Sequence, residues 1–163
     1  MQKITPFLWF DGCAEEAIRF YTSVFKNAII GNIVRYGKGG PAPEGSIMTA
    51  TFQLEGLNFI ALNGSPVFNF TPAISFVVNC DTQEEIDYFW EQLSAGGEKQ
   101  KCGWVKDRFG ISWQIVPSKL AKLLQTSDTK KKNHVMNLLM QMDKLDIEQL
   151  ERVYTESDQS TSI

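Results

Sequence analysis

The sequence predicts an α+β protein in which a β-α-β-β-β order is written twice, at about residues 4–63 and 73–117, before a helical segment over 118–163. Three observations carry this. Ala14, Ala17, Ile18, Tyr21, Val24 and Phe25 recur at helical spacing, and Ile86, Phe89, Trp90 and Leu93 repeat the pattern. Each stripe is preceded by one apolar segment of strand length and followed by three more, separated by Gly- and Pro-containing turns. Beyond Pro117 the strand signals stop and helical ones take over. With 163 residues the chain has room for one sizeable core and a short appendage, so we expect a domain over 1–117 and an extension over 118–163.

The first strand runs up to Phe10, and Asp11-Gly12 turns the chain into the first helix, whose opening turn carries Glu15 and Glu16 as the helix dipole prefers. Ile29 to Tyr36 is β-branched and strand-like, residues 37–45 form an irregular Gly/Pro loop, and Ser46 to Leu54 is the next strand. Glu55-Gly56 makes a hairpin turn into Leu57 to Asn63. The second unit starts with a strand over Ala73 to Cys80. Asp81 is its expected helix N-cap, with capping-box spacing to Glu84. Gly96-Gly97 ends that helix, and strands follow at Lys99 to Cys102, Gly103 to Asp107 and Ile111 to Val116. In the tail, Lys119 to Leu124 is helix-like and Ser127-Asp128 caps a stripe of Val135, Leu138, Leu139 and Met142. Asp146 to Gln149 has capping-box spacing before Leu150, Val153 and Tyr154, and the residues from Ser157 are expected to fray.

Composition excludes several functions. A formal charge of -3 leaves no basic field for nucleic acid or an anionic membrane surface. No apolar run reaches the roughly 18 residues of a membrane helix, and the opening residues, broken by Pro6, are too short for a signal core. Cys13, Cys80 and Cys102 form no CxxC or CxxH pair and are odd in number, which fits free thiols in the cytoplasm. No serine-hydrolase elbow, zinc-protease helix or phosphate-binding loop is present, and a single histidine, His134, sits beside Lys130, Lys131 and Lys132 in the tail, where a solvated surface role is expected.

The segments Ile4-Thr5-Pro6-Phe7-Leu8-Trp9-Phe10-Asp11-Gly12, Ala14 to Tyr21, and Gly103 to Pro117, with the paired β-α-β-β-β order, resemble the PhnB-like family of the glyoxalase, bleomycin-resistance and extradiol-dioxygenase (vicinal oxygen chelate) superfamily. The resemblance is read over residues 3 to 155, tail included. It implies two modules whose sheets curl into a cup, helices outside, assembled as a homodimer. It does not imply one reaction, because the superfamily spans isomerases, dioxygenases, thiol transferases and ligand-sequestering proteins. Members often carry a demethylubiquinone methyltransferase label. A Gly-rich turn leading from a strand into a helix, the usual seat of S-adenosylmethionine, is missing, because the Gly37 to Gly40 loop runs into Pro41 and a strand; methyltransfer is therefore not expected.

The superfamily's metal positions fall by this resemblance at Pro6, at Ala61 or Asn63, near Ala73, and at Gln114. Two neutral amides without imidazole or carboxylate make a weak site, so no metal and no cofactor is expected. With Pro6 and Gln114 facing inward, alternation puts Leu8, Phe10, Phe59, Ala61, Asn63, Ala73, Ser75, Val77, Ser112 and Val116 on the cup face. Phe7, Trp9, Ile60, Leu62, Ile74, Phe76, Val78, Trp113 and Ile115 are then expected beneath the helices. Trp104, Lys106, Asp107 and Arg108 form the most ligand-like polar cluster, with a dimer edge or surface ion pair as the alternative. The candidate ligand-binding residues are Phe10, Asn63, Ser75, Trp104, Lys106, Asp107 and Gln114; catalytic residues are not assignable.

Two functions stay open: a metal-free module that binds a small molecule in a dimeric cup, or a superfamily enzyme using Asn63, Gln114 and Asp107 in a non-standard metal or acid-base site. The tail's apolar stripe must be buried, either on its own chain or, as the preferred reading, across a dimer partner.

Overall fold

The computed structural model of the chain describes residues 2–156, so the expectation of fraying from Ser157 lies outside the described residues. The chain divides into two compact units, Met1–Asn69 and Phe70–Ile163. In the first, strand β1 (Phe7–Asp11), helix α1 (Ala14–Val24) and strands β2 (Ala28–Arg35), β3 (Ile47–Leu54) and β4 (Leu57–Gly64) follow one another. They build a mixed sheet of order β1-β4-β3-β2, with β1 parallel to β4 and the other pairs antiparallel. The Glu55-Gly56 turn has positive φ at both residues (45° and 85°), the geometry that joins twisted antiparallel strands with two residues.

The second unit repeats the plan with β5 (Ser75–Cys80), α2 (Gln83–Ser94), β6 (Glu98–Lys99), β7 (Trp104–Lys106) and β8 (Ser112–Pro117), in sheet order β5-β8-β7-β6 with β5 parallel to β8. The expected N-cap moves by one residue. Thr82, not Asp81, accepts the Glu85 N–H (3.3 Å), and the Glu85 carboxylate reaches back to the Asp81 N–H at 2.7 Å. Thr and Asp are both good caps; the extended backbone of Thr82 decides between them. The strand expected over Lys99 to Cys102 ends at Lys99, because Cys102 and Gly103 adopt left-handed φ (60° and 78°) in a turn closed by the Trp104 N–H to Lys101 O at 3.2 Å.

Three tail helices complete this unit: α3 (Leu120–Leu124), α4 (Thr129–Gln141) and α5 (Ile147–Glu156). Asp128 caps α4 by accepting the Lys130 and Lys131 N–H groups, and Asp146 accepts from Gln149 as its capping spacing predicts. Val135, Leu139, Leu145 and Leu150 form a buried cluster joined by Val116, Leu120 and Leu123. The tail therefore buries its stripe on its own unit, not on a partner chain as preferred from sequence. Salt bridges Lys144–Asp87 (2.6 Å) and Lys101–Asp143 (2.7 Å) and the Gln83 side chain hold it there. No helix among the described residues is long and apolar enough to cross a membrane.

Candidate functional site

Burial decides which face of each sheet its helix covers. In the second unit Val78, Trp113 and Ile115 are buried with Ile86, Trp90 and Leu93 of α2, as expected, whereas Phe76 is only half-buried and Ile74, expected with them, is 75% exposed because β5 begins after it, at Ser75. The opposite face carries Ser75, Val77, Trp104, Lys106 and Gln114, because β5 and β8 pair Val77 with Gln114 while β7 and β8 pair Trp104 with Gln114 and Lys106 with Ser112. Val77 is 51% exposed there.

The first unit reverses the expected facing. Leu8, Phe10, Phe59, Ala61 and Asn63 are buried, with the Phe59 ring stacked on Phe52 and Phe52 in turn on Tyr21 of α1. The open face instead carries Phe7, Trp9, Ile60 and Leu62, with Phe7 53% exposed. The physical reason is that β1 and β4 are apolar on both sides, so alternation shows two faces but not which one the helix takes. On the open face the Trp9 indole lies against Gly64, donates to Ser65 O at 2.9 Å and meets Phe68 edge-on with centroids 5.3 Å apart.

The seven candidate residues thus fall into three places. Phe10, at 1% exposure, lies in the first unit's core. Asn63 is buried beside it: its Oδ1 accepts the Ala14 N–H (2.7 Å) and its Nδ2 donates to Ile47 O (3.0 Å). Asn63 therefore supplies the cap of α1, whose own N-cap residue, Cys13, makes no side-chain capping bond. Asp107, 2% exposed, faces the α2 side. It accepts from the Phe109 N–H (2.8 Å), the Ile111 N–H (3.0 Å) and the Trp113 indole N–H (2.8 Å).

Only Ser75, Trp104, Lys106 and Gln114 come together. Gln114 Nε2 donates to Ser75 Oγ at 2.9 Å, which leaves the Gln114 carbonyl oxygen available on the open face. Half-buried Trp104 flanks it, and the side chain of exposed Lys106 makes no ion pair or hydrogen bond among the described residues. Glu98 is paired opposite Lys106 in the ladder, and its carboxylate accepts from Gln100 at 3.4 Å. The arrangement offers a flat aromatic surface, one cation and an amide-hydroxyl pair. Sequence places Trp9 beneath the helix and gives Phe68 no role; their contact depends on Gly64 of β4, which only the folded sheet brings beside Trp9.

The donor chemistry of these faces does not fit a divalent metal ion. On the open face of the first sheet the residues that replace the expected positions are Phe7, Trp9, Ile60 and Leu62, and on the second sheet Ser75 and Gln114 are neutral and bonded to each other. Among the described residues no group of three His, Cys, Asp or Glu side chains is placed to hold a metal. His134 is exposed on α4.

Comparison with known proteins identifies the family and the fold. The family model described as 3-demethylubiquinone-9 3-methyltransferase matches residues 2–116. The match ends in β8, so the tail lies beyond it, contrary to the expected span to 155. Among solved structures, a Bacillus cereus PhnB protein described as a 3-demethylubiquinone-9 3-methyltransferase is 41% identical over 71% of this chain and 99% of its own, with a TM-score of 0.68. A Pseudomonas aeruginosa protein is 22% identical over 72% of this chain and 98% of its own, with a TM-score of 0.60. The fosfomycin resistance protein FosX of Listeria monocytogenes, solved with Mn(II) and sulfate, is 17% identical over 77% of this chain and 100% of its own, with a TM-score of 0.56, a likeness of fold alone. No curated protein matches the chain.

Proposed function

This chain belongs to the PhnB-like family described as 3-demethylubiquinone-9 3-methyltransferase, with the fold of the vicinal oxygen chelate superfamily, and on that premise we propose that it is a metal-free small-molecule-binding protein that works as a homodimer. Its ligand is a small aromatic anion held on the open face of the second sheet. The observation that carries this reading is the group of Trp104, Lys106 and Gln114 on adjacent strands, with the Lys106 ammonium unpaired among the described residues. An indole face takes a planar ring, an ammonium neutralises a carboxylate or sulfonate, and the Gln114–Ser75 pair supplies a polar edge. Methyltransfer is not part of the proposal, because neither helix N-terminus follows a Gly-rich turn that could seat the cofactor.

Calorimetric titration of the full chain with naphthoate tests it, alongside native mass spectrometry for subunit number and retained molecules. We expect a dimer that binds one naphthoate per chain, with Lys106→Gln and Trp104→Ala each weakening affinity about tenfold, or ~1.4 kcal/mol. Neutral naphthalenemethanol should bind as weakly as naphthoate binds the Lys106→Gln variant. Equal binding by the variants and the wild type, or one tightly held metal per chain, would overturn the reading.

A further inference from the structure

We infer that the helical tail, which lies outside the family match, is a positioning element for the ligand face of the second sheet; this rests on the reading of that face given above. Every residue of the turn that launches β7 is tied to the tail. The Cys102 N–H donates to Met142 O and the Gly103 N–H to Asp143 O, both at 2.8 Å, and Lys101 pairs with Asp143 at 2.7 Å. Cys102 Sγ lies 3.7 Å from Met140 Sδ. A β-carbon on Gly103 would stand 3.0 Å from Leu145 Cγ and 2.6 Å from Ile115 O, so the turn is closed on one side by the tail and on the other by β8.

The next residue is Trp104. Cys102 holds a left-handed φ of 60°, which is uncommon for a non-glycine residue and unfavourable without support from its surroundings. Here the two carbonyls of 142 and 143 are the groups that accept its N–H and that of Gly103. Leu145, fully buried, is the seat of the contact, and Gln83 at the start of α2 clamps it by donating to Leu145 O (3.0 Å) and accepting from the Ile147 N–H (3.0 Å). At the far end of the same face Val116, two residues beyond Gln114, packs against the tail's apolar cluster. The tail thus sets where the indole stands and closes the Val116 end of the face, so that ligand length along β8 is limited on that side.

The test compares two substitutions in the same cluster. Leu145→Ala removes the side chain that touches the turn; Leu150→Ala removes an equally buried one from α5. Both should lower the melting temperature, since each leaves a cavity. Only Leu145→Ala should weaken naphthoate binding, about tenfold, and shift the emission of Trp104, identified by difference against Trp104→Phe. Where Leu145→Ala fails to fold, Gln83→Ala removes the clamp without touching the apolar seat and should weaken binding in the same direction. Wild-type affinity in Leu145→Ala or Gln83→Ala, or equal weakening in Leu150→Ala, would overturn the inference. If wild type binds and Lys106→Gln does not, while the tail variants bind normally, the ligand face stands and the tail's role falls. If wild type itself does not bind, the ligand face is the part that fails.

Discussion

The Asp107 carboxylate accepts the Trp113 indole N–H at 2.8 Å while its other oxygen accepts the N–H groups of Phe109 and Ile111. One buried side chain therefore closes the turn between β7 and β8 and anchors the largest residue beneath α2. Asp107→Ala leaves three donors without this acceptor, and we expect a loss of ~3 kcal/mol or more in urea unfolding. Naphthoate affinity per folded molecule should stay within about twofold of wild type, because the carboxylate faces the helix side of the sheet.

Asn63 joins β4 to the start of α1. Asn63→Ala removes both the Ala14 cap and the bond to Ile47 O, and should cost ~2 kcal/mol in the same assay. Asn63→Asp should not restore stability, since it keeps the acceptor for Ala14 but places a second oxygen against the Ile47 carbonyl, where the wild type has a donor. Restoration by Asp would show that charge at the helix N-terminus outweighs the lost donor.

Cys80 is buried at the end of β5, and desolvation first, then the charges of Glu85 and Asp81, push its thiol up to about 12. At about pH 8 iodoacetamide should label Cys13 and Cys102 in the folded protein and Cys80 only after denaturation. The raised value also fixes a direction. The folded state favours the neutral thiol, so this contribution to stability is complete below the ordinary thiol value of ~8.5 and is lost as pH rises toward about 12. Urea unfolding of wild type and Cys80→Ala across that alkaline range should show the steeper decline in wild type.

Gly64 has the Trp9 indole where a β-carbon would sit. Gly64→Ala should displace the ring, break its bond to Ser65 O and part it from Phe68, with a red shift in tryptophan emission as the indole meets water. An unchanged spectrum would mean that the strand end moves instead of the ring.

Much of the fold is legible along the chain. The helical stripes of α1 and α2 are regular, the Glu55-Gly56 and Gly96-Gly97 breaks stand where the elements end, Asp146 caps as its spacing implies, and of the Ser127-Asp128 pair it is Asp128 that caps α4. The face of the second sheet is also legible: Ser112, Trp113, Gln114 and Ile115 alternate in polarity, so Gln114 falls opposite the helix side. Asp107 was not legible in the same way, because a carboxylate beside Lys106 and Arg108 resembles a surface charge until the turn folds it under Trp113.

Sequence by itself determined the order of elements and their repetition, because periodicity, caps and turn residues are local properties read within a few positions, and its long motifs at 4–21 and 103–117 carried the family resemblance. Tertiary structure alone decided three things. It placed α1 on the Leu8–Phe10 side of a sheet that is apolar on both faces, where Phe7-Leu8-Trp9-Phe10 offers no contrast to read. It turned Asn63 and Asp107 inward as acceptors for distant N–H groups, since partners 49 and 6 residues away are brought near only by the folded sheet. It seated the tail on the Lys101–Gly103 turn, because a helix stripe specifies that it must be buried and not against what.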